Sequence, residues 1–235
     1  MMEHFGLRVQ KGSKYGLSMT RDTYAQINKR SSLWLPREAD PELWNARSAD
    51  YEDEDHRFYT DAWCLRQQSA ALRNYDLNLA YFASLDHDEF DQALGKVIAV
   101  HGELVAVADL RPWDGKRGLY VLVLDRYCQA YVGVTTAAGG IKARVRQHWS
   151  TSKSFDRLIW GGVDTSVLSI DSFRALDTTR IFAAETARPE LLEDAVINAL
   201  PDKFVLNRTI GGGGDAVRLA LLAGVDVVKT RSLIE

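Results

Sequence analysis

GLYVLVLDRYCQAYVG, residues 118–133, contains the strongest structural signal in this sequence. Its first half is a nearly continuous apolar run, which is typical of a buried strand. A polar turn at Asp125–Tyr127 then leads into a second short run that ends at Gly133. Two such runs joined by a short turn predict a hairpin. Because Tyr120 and Tyr131 each lie within two residues of a glycine, the hairpin is either an ordinary pair of strands or one part of an active site.

The segments after this hairpin alternate between helical and extended patterns. Pro, Gly and charge cluster at 111–118, just before the first strand, and this clustering predicts a domain boundary. We therefore expect residues 111–235 to form an α/β domain, with a small central antiparallel sheet flanked by helices. The further elements expected in it are IKARVRQHW (141–149) and PELLEDAVINAL (189–200) as helices, TRIFAAE (179–185) as a strand, and FVLN (204–207) as an extended piece.

Residues 1–110 have mainly helical patterns and predict a mostly α-helical N-terminal domain. Thr20 is placed to cap one helix and Pro41 to begin another. The acidic run at 51–55 has no apolar period and predicts a solvated loop. The predicted helices cover 20–29, 41–47, 60–85 and 87–100, and GELVAVADL (102–110) predicts a strand.

Composition excludes several classes of protein. The chain has 235 residues, 46% hydrophobic and 26% charged, which is typical of a globular protein. Cys64 and Cys128 lie far apart without a CxxC or Cys/His spacing, which argues against a zinc site or a disulfide framework and favours a reducing compartment. No signal peptide or membrane span is visible, so we expect a cytoplasmic protein that does not contact a membrane.

The charge is distributed unevenly along the chain. Residues 1–110 contain 12 Lys and Arg against 18 Asp and Glu, whereas residues 111–235 contain 17 against 14. A basic second half is a weak indication of a polyanionic partner.

Polar residues follow the hairpin in a defined order. Arg144 comes eleven residues after Gly133, and His148 comes one helical turn later on the same face. Glu193 lies in an otherwise apolar predicted helix, and Asn207 follows fourteen residues later. A carboxylate on such a helix is expected to be partly buried and to need a partner.

Over residues 117–210 this order resembles the GIY-YIG nuclease family. The corresponding segments are GLY (118–120), YVG (131–133), RVRQH (144–148) and LLEDAVINALPDKFVLN (191–207). Each segment alone is a weak motif, and the specificity lies in their order on the right element types. The segment 135–140 is about three residues longer than the family pattern, which leaves Arg146 as an alternative to Arg144.

The resemblance implies hydrolysis of a phosphodiester bond with the help of Mg²⁺ or Mn²⁺. Glu193 would be the metal ligand, Arg144 would bind the scissile phosphate, and Tyr120 would activate or position the attacking water. Because a tyrosine pKa is ordinarily near 10, this role needs a group that favours the phenolate, or His148 as the proton acceptor. The resemblance also implies a supporting hydrogen-bond network from Tyr131, His148 and Asn207.

Other interpretations of these residues remain open at this stage. Glu193 is also consistent with an acidic residue near a helix N-terminus. The glycine run 211–214 is either a flexible joint or a contact to a phosphate backbone. Each remaining candidate also has a structural interpretation: the tyrosines as strand residues, Gly118 and Gly133 as sites of close backbone approach, His148 as a core or surface histidine, and Asn207 as a turn residue.

We therefore expect a metal-dependent endonuclease that acts on nucleic acid, with DNA favoured over RNA. Three roles remain open for residues 1–110: reading DNA through a few loops as in a restriction enzyme, binding a protein partner or a second copy of the chain as a homodimer, or acting as an acidic cover over the site. The alternative is a catalytically inactive protein that binds nucleic acid or a partner through a nuclease fold.

Overall fold

The computed structural model describes residues 2–9, 16–25, 30–32 and 37–208. Over these residues the protein is mixed α/β, with two small antiparallel sheets and six α-helices. The glycine run at 211–214 and the end of the first predicted helix, 26–29, lie outside the described residues. No helix of the described part is long and apolar enough to cross a membrane.

The elements follow the predicted order closely from residue 60 onward. The helices are α1 (Arg21–Ala25), α2 (Pro41–Ala46), α3 (Asp61–Ala83), α4 (His87–Val100), α5 (Gly140–Ser150) and α6 (Pro189–Ala199). The strands are β1 (Met2–His4), β2 (Leu7–Val9), β3 (Val105–Ala106), β4 (Gly118–Leu124), β5 (Gln129–Thr135) and β6 (Arg180–Glu185).

Side-chain caps explain where three of the helices begin. Asp40 accepts a hydrogen bond from the Leu43 backbone N–H at the start of α2. Thr60 caps α3, and Asp86 caps α4, in the same way. Each cap satisfies one of the backbone donors that a helix start leaves open. The long helix predicted over 60–85 is confirmed, because α3 runs without a break from Asp61 to Ala83.

The larger sheet has the strand order β3-β6-β4-β5, and all its pairings are antiparallel. Every residue of β4 is buried, as the apolar run predicted. The predicted hairpin is confirmed, with Tyr120 of β4 directly opposite Gly133 of β5. Helices α5 and α6 both pack against β4 and β5. A small antiparallel sheet with flanking helices is therefore present, and its edge strand β3 comes from the first 110 residues.

The first 110 residues are not purely helical. Strands β1 and β2 form a hairpin that the sequence did not predict, and its turn places Phe5 and Gly6 in the left-handed region. Leu110 donates a backbone hydrogen bond to the Phe5 carbonyl at 3.0 Å. The hairpin therefore packs beside the segment that precedes β4.

The strand predicted over 102–110 is much shorter than expected. β3 pairs with β6 through Val105 and Ala106, both exposed at the sheet edge. The side chain of Asp109 then accepts a hydrogen bond from the Arg111 backbone N–H, which turns the chain away from the sheet. The domain boundary at 111–118 stays a prediction. β3 lies before this boundary in the sequence, yet it pairs with β6, which lies after the boundary.

Candidate active site

A cleft of about 220 Å³ collects most of the predicted site residues. Its walls come from β5, α5, α6, the irregular segment between α5 and β6, and the chain after α6. The residues that line it are Tyr131, Arg144, His148, Lys153, Arg157, Trp160, Ser169, Ile170, Asp171, Glu193, Leu206, Asn207 and Arg208. Of the predicted polar site residues, Tyr120 does not line the cleft.

Tyr120 lies behind the cleft, at the start of a chain of hydrogen bonds. Its side chain is fully buried, and its hydroxyl is 2.8 Å from Nε2 of His148. Nδ1 of His148 is 2.6 Å from Oδ1 of Asp171. The other carboxylate oxygen of Asp171 is 2.8 Å from Nζ of Lys153. These four residues, Tyr120, His148, Asp171 and Lys153, form a continuous relay from the sheet to the cleft.

Burial determines the protonation of this relay. It lowers the pKa of His148, and the hydrogen bond to Asp171 offsets this in part, so the imidazole is neutral at pH 7. Burial also raises the pKa of Tyr120 well above 10, so its hydroxyl keeps its proton. The consistent assignment places the imidazole proton on Nδ1, which donates to Asp171, while Nε2 accepts from Tyr120.

Asp171 remains ionised in this environment. Burial alone would raise the pKa of its carboxyl group, but the hydrogen bond from His148 and the charge of Lys153 outweigh that effect and lower it. A carboxylate on one side of a neutral histidine fixes both the ring orientation and the tautomer.

A buried arginine positions Asp171 against α5. Arg174 is fully buried, and its guanidinium donates to the carbonyls of Trp149 and Thr151 at the end of α5. It also donates to the carbonyl of Asp171 at 3.1 Å. One side chain thus ties the helix that carries His148 to the turn that carries Asp171.

Arg144 is half-buried in the wall of the cleft, close enough to Tyr120 and Tyr131 for its charge to act on both. Its Nη1 donates to Oε1 of Gln147 at 2.6 Å. Burial raises the pKa of Tyr131 to about 12, and the Arg144 charge opposes that rise. The same charge acts on Tyr120. Arg146, the alternative that sequence spacing left open, is exposed and does not line the cleft.

Glu193 is the least satisfied polar group of the site. Its side chain shares the buried face of α6 with Val196 and is 4% exposed. Within the described part of the chain, its carboxylate has no hydrogen-bond donor or cationic partner. Burial raises the pKa of Glu193 to about 7, and the nearby charges of Asp194 and Glu190 add to the rise. Such a carboxylate is expected to have a ligand.

Asn207 has a positioning role. Its Oδ1 accepts from the Val132 backbone N–H at 3.0 Å, and its Nδ2 donates to the Val132 carbonyl at 2.7 Å. Together with the hydrogen bond from the Leu206 N–H to the Ala130 carbonyl, these bonds attach the segment after α6 to β5. The predicted extended piece therefore lies along the sheet edge and forms one wall of the cleft.

The two glycines of the hairpin are required by close packing. A Cβ on Gly133 would lie 2.5 Å from the Tyr120 hydroxyl oxygen and 2.8 Å from Cε1 of Tyr131. Gly118 has φ of +148°, and a Cβ there would overlap the Ala184 carbonyl of β6. Both are therefore structural, and Gly133 makes room for the buried phenol.

Sequence reasoning missed Lys153, Arg157 and Asp171. All three come from residues 151–179, which form 3₁₀ turns and loops without a periodic pattern. Asp171 did carry a signal, because it is an acidic residue between the apolar Ile170 and Phe173. The argument that selected Glu193, a carboxylate among apolar residues, applies equally to it.

The site offers a single free carboxylate to a metal ion. Within the described residues, no three His, Cys, Asp or Glu side chains form a group that would hold a metal by themselves. Mg²⁺ commonly takes one or two carboxylates and completes its octahedron with water and phosphate oxygens. The donor-free Glu193, at the edge of a cleft that also contains Arg144, fits this second mode of binding.

Comparison of the chain with protein-family models, with curated proteins and with solved structures found no match. The function is therefore argued from the cleft and its chemistry.

Proposed function

We propose that this protein is a divalent-metal-dependent nuclease that hydrolyses phosphodiester bonds, in the manner of the GIY-YIG family. The observation that carries the proposal is Glu193, a buried carboxylate with no donor among the described residues, in the same cleft as Arg144 and His148. This arrangement provides a place for a cation and an arginine for an anionic substrate. A charge-compensated substrate such as a phosphodiester fits both.

Glu193 would hold Mg²⁺ or Mn²⁺, with water and phosphate oxygens as the other ligands. When bound, the cation would neutralise charge on the phosphate and acidify a coordinated water. Arg144 binds the scissile phosphate, because a planar guanidinium matches two phosphate oxygens. Its position beside the phenols also orients that phosphate toward the relay.

The relay accepts the proton that the attacking water must lose. Tyr131 lines the cleft, and its ring centroid lies 6.4 Å from that of the buried Tyr120. Tyr120 passes its own hydroxyl proton to Nε2 of His148 as it receives one from the cleft side. Asp171 stabilises the imidazolium that forms, as a carboxylate does in other histidine-based relays. Tyr120 therefore acts behind Tyr131 instead of touching the water.

Specificity is assigned to residues 1–110. The cleft residues are suited to phosphate and metal, which position a nucleic acid without reading its sequence. We propose a DNA substrate, with recognition or dimerisation through the N-terminal half.

The test is cleavage of supercoiled plasmid and of labelled DNA and RNA oligonucleotides in Mg²⁺ or Mn²⁺. Wild type is expected to give nicked or linear plasmid. Glu193→Gln is expected to lose roughly a thousand-fold in rate, because a bound cation contributes several kcal/mol to catalysis. Glu190→Gln is the matched control, since Glu190 is exposed on the same helix, and it should cleave normally.

Two results would contradict the proposal. One is cleavage that survives Glu193→Gln at the wild-type rate. The other is nucleic-acid binding without cleavage in the presence of either Mg²⁺ or Mn²⁺. That result would favour a binding protein on an inactive nuclease fold.

A further inference from the structure

Residues 153–160 form a wall of the cleft, and most of this wall has no part in the proposed chemistry. This segment follows α5 and contains Arg157 and Trp160, both of which line the cleft. Lys153, at its start, is bound to Asp171 and belongs to the relay. The other two residues have no role in metal binding or proton transfer.

Arg157 has unused hydrogen-bonding capacity. Its Nε is buried without an acceptor, and across the described residues its guanidinium has no acidic partner. The other cationic side chains of the cleft do have side-chain or backbone acceptors. Lys153 is bound by Asp171, and Arg144 donates to Gln147. A half-buried guanidinium that lines a cleft without an acidic partner among the described residues is suited to an anion with two acceptor oxygens.

The backbone around Arg157 is held in place by other residues. Arg208 is half-buried, and its guanidinium donates to the carbonyls of Arg157 and Val167, at 2.6 and 2.7 Å. The backbone N–H of Trp160 donates to Oγ of Ser166 at 2.9 Å, and the side chain of Asn74 in α3 donates to the Ser166 carbonyl. The wall is therefore preorganised, and removal of the Arg157 or Trp160 side chain leaves these bonds intact.

Trp160 adds an aromatic surface to the same wall. It is half-buried and lies three residues from Arg157. Clefts that bind nucleic-acid strands combine cationic groups for the backbone with aromatic rings on which bases stack. A single base on a tryptophan gives affinity with little sequence preference, because every base has a π-face.

We propose that Arg157 and Trp160 form a nucleotide subsite beside the scissile phosphate: Arg157 binds a neighbouring phosphate and Trp160 stacks on its base. This subsite rests on the proposed nuclease function and specifies its substrate. A base that stacks on Trp160 has left the helical stack. The preferred substrate is therefore a nucleic acid with an unstacked nucleotide next to the cut, such as a single strand or a distorted duplex.

The first measurement is the salt dependence of binding to a fluorescent single-stranded oligonucleotide, with full-length protein carrying Glu193→Gln to prevent cleavage. Arg157→Gln in that background should weaken binding and reduce the magnitude of the slope of log K against log salt by about 0.7, the value for one phosphate contact on a single strand. Arg146→Gln removes the same charge from the exposed face of α5 and should leave the slope unchanged.

The second measurement uses oligonucleotides with one abasic site, moved along the strand. At one position the abasic site should weaken binding roughly ten-fold, the lower range of a stacked base. Trp160→Ala should weaken binding to the intact strand by a similar factor and be insensitive to that abasic site. Trp160→Phe should restore both the affinity and the sensitivity.

The outcomes separate the subsite from the nuclease. Both changes occurring as described support the subsite. If wild type cleaves but Arg157→Gln leaves the slope unchanged, or if no abasic position distinguishes wild type from Trp160→Ala, the subsite is wrong and the nuclease stands. If wild type neither cleaves nor binds any strand, both proposals are overturned.

Discussion

The two sides of the cleft differ in how their polar groups are satisfied. On one side, Tyr120, His148, Asp171 and Lys153 are linked to one another by hydrogen bonds and an ion pair of 2.6 to 2.8 Å. On the other, Glu193 and the Nε of Arg157 have no partner within the described residues. The first side is complete without a ligand, whereas the second side would be completed by the proposed cation and phosphates.

This difference matches the work each side would do. A proton relay must hold its geometry before substrate arrives, because its donors and acceptors act in the transition state. Groups that bind a cation and phosphates gain their partners from those ligands, and they remain costly to the fold until then. The contrast predicts different responses to mutation on the two sides.

After the loss expected for Glu193→Gln, the largest effect is expected at Arg144, which lies near the phenols and lines the same cleft as Glu193. Arg144→Gln should lower the cleavage rate by roughly 10²- to 10³-fold, the usual cost of one donor to a charged transition state. Arg146→Gln, at the alternative arginine, should have no effect because Arg146 is exposed. Single-turnover cleavage with each variant checks this prediction. A larger loss in Arg146→Gln would reassign the phosphate contact.

Periodicity was sufficient for the elements that carry the site. The hairpin and α5 and α6 were predicted to within a residue or two, because each has an uninterrupted pattern and a clear end signal. The strand predicted over 102–110 was wrong in length, because β3 covers only Val105–Ala106 at the sheet edge. Its apolar alternation continues beyond Ala106, and the Val107 N–H still donates to the Ile181 carbonyl of β6, but the Asp109 side chain then turns the chain.

The clustering of the candidate residues was predictable where a residue lies on a regular element. Arg144, His148 and Glu193 lie on helices whose spacing brings them to the sheet, and the structure places all three at one cleft. The relay partner Asp171 was not predictable by spacing, because its contact with His148 spans 23 residues of irregular chain. Burial of Tyr120 behind Tyr131 likewise depends on the tertiary packing of Gly133.

The next effect concerns the relay. Asp171→Asn should lower the cleavage rate by roughly 10- to 100-fold, the usual cost of losing a second partner of a functional histidine. If the amide introduced by Asp171→Asn donates to Nδ1, the imidazole proton must sit on Nε2. Nε2 could then no longer accept the hydrogen bond from the Tyr120 hydroxyl.

The pH profile distinguishes this role from a structural one. Cleavage requires neutral His148 and should fall as the pH drops through its pKa, which burial keeps below the usual 6.5. The Asp171 carboxylate raises that pKa, whereas Arg144 and Lys153 lower it. Asp171→Asn should therefore move the acid limb to lower pH. An unchanged limb with reduced activity would mean that Asp171 acts through the fold alone.

A smaller effect is expected from the packing behind the relay. Gly133→Ala places a methyl group against the Tyr120 hydroxyl and should destabilise the fold by about 1–3 kcal/mol, the usual cost of overpacking. Gly95→Ala is the control, since nothing lies within 4 Å of its new methyl group and it lies within α4. Urea unfolding should show Gly95→Ala as neutral or slightly stabilising. Equal stability of the two variants would contradict the close packing of Tyr120.

The smallest effect has the opposite sign and comes from the unsatisfied side. The pKa of Glu193 is raised from 4.5 to about 7 in the folded protein, so the folded state binds the proton more tightly. The stability associated with that proton is present below pH 4.5 and is lost as the pH rises through 7. Because the cleft admits water, we expect Glu193→Gln to gain about 1 kcal/mol over wild type at pH 8 without metal.

Thermal unfolding with and without Mg²⁺ separates a ligand from a misplaced acid. At pH 8 in a chelator, Glu193→Gln should unfold at a higher temperature than wild type, and the gap should vanish near pH 4. Excess Mg²⁺ should stabilise wild type and leave the variant unchanged, because a cation that binds the folded state shifts its stability by mass action. A gap that Mg²⁺ does not close would show that Glu193 destabilises the fold without binding the ion. The strain on this side of the cleft would then have no metal to relieve it.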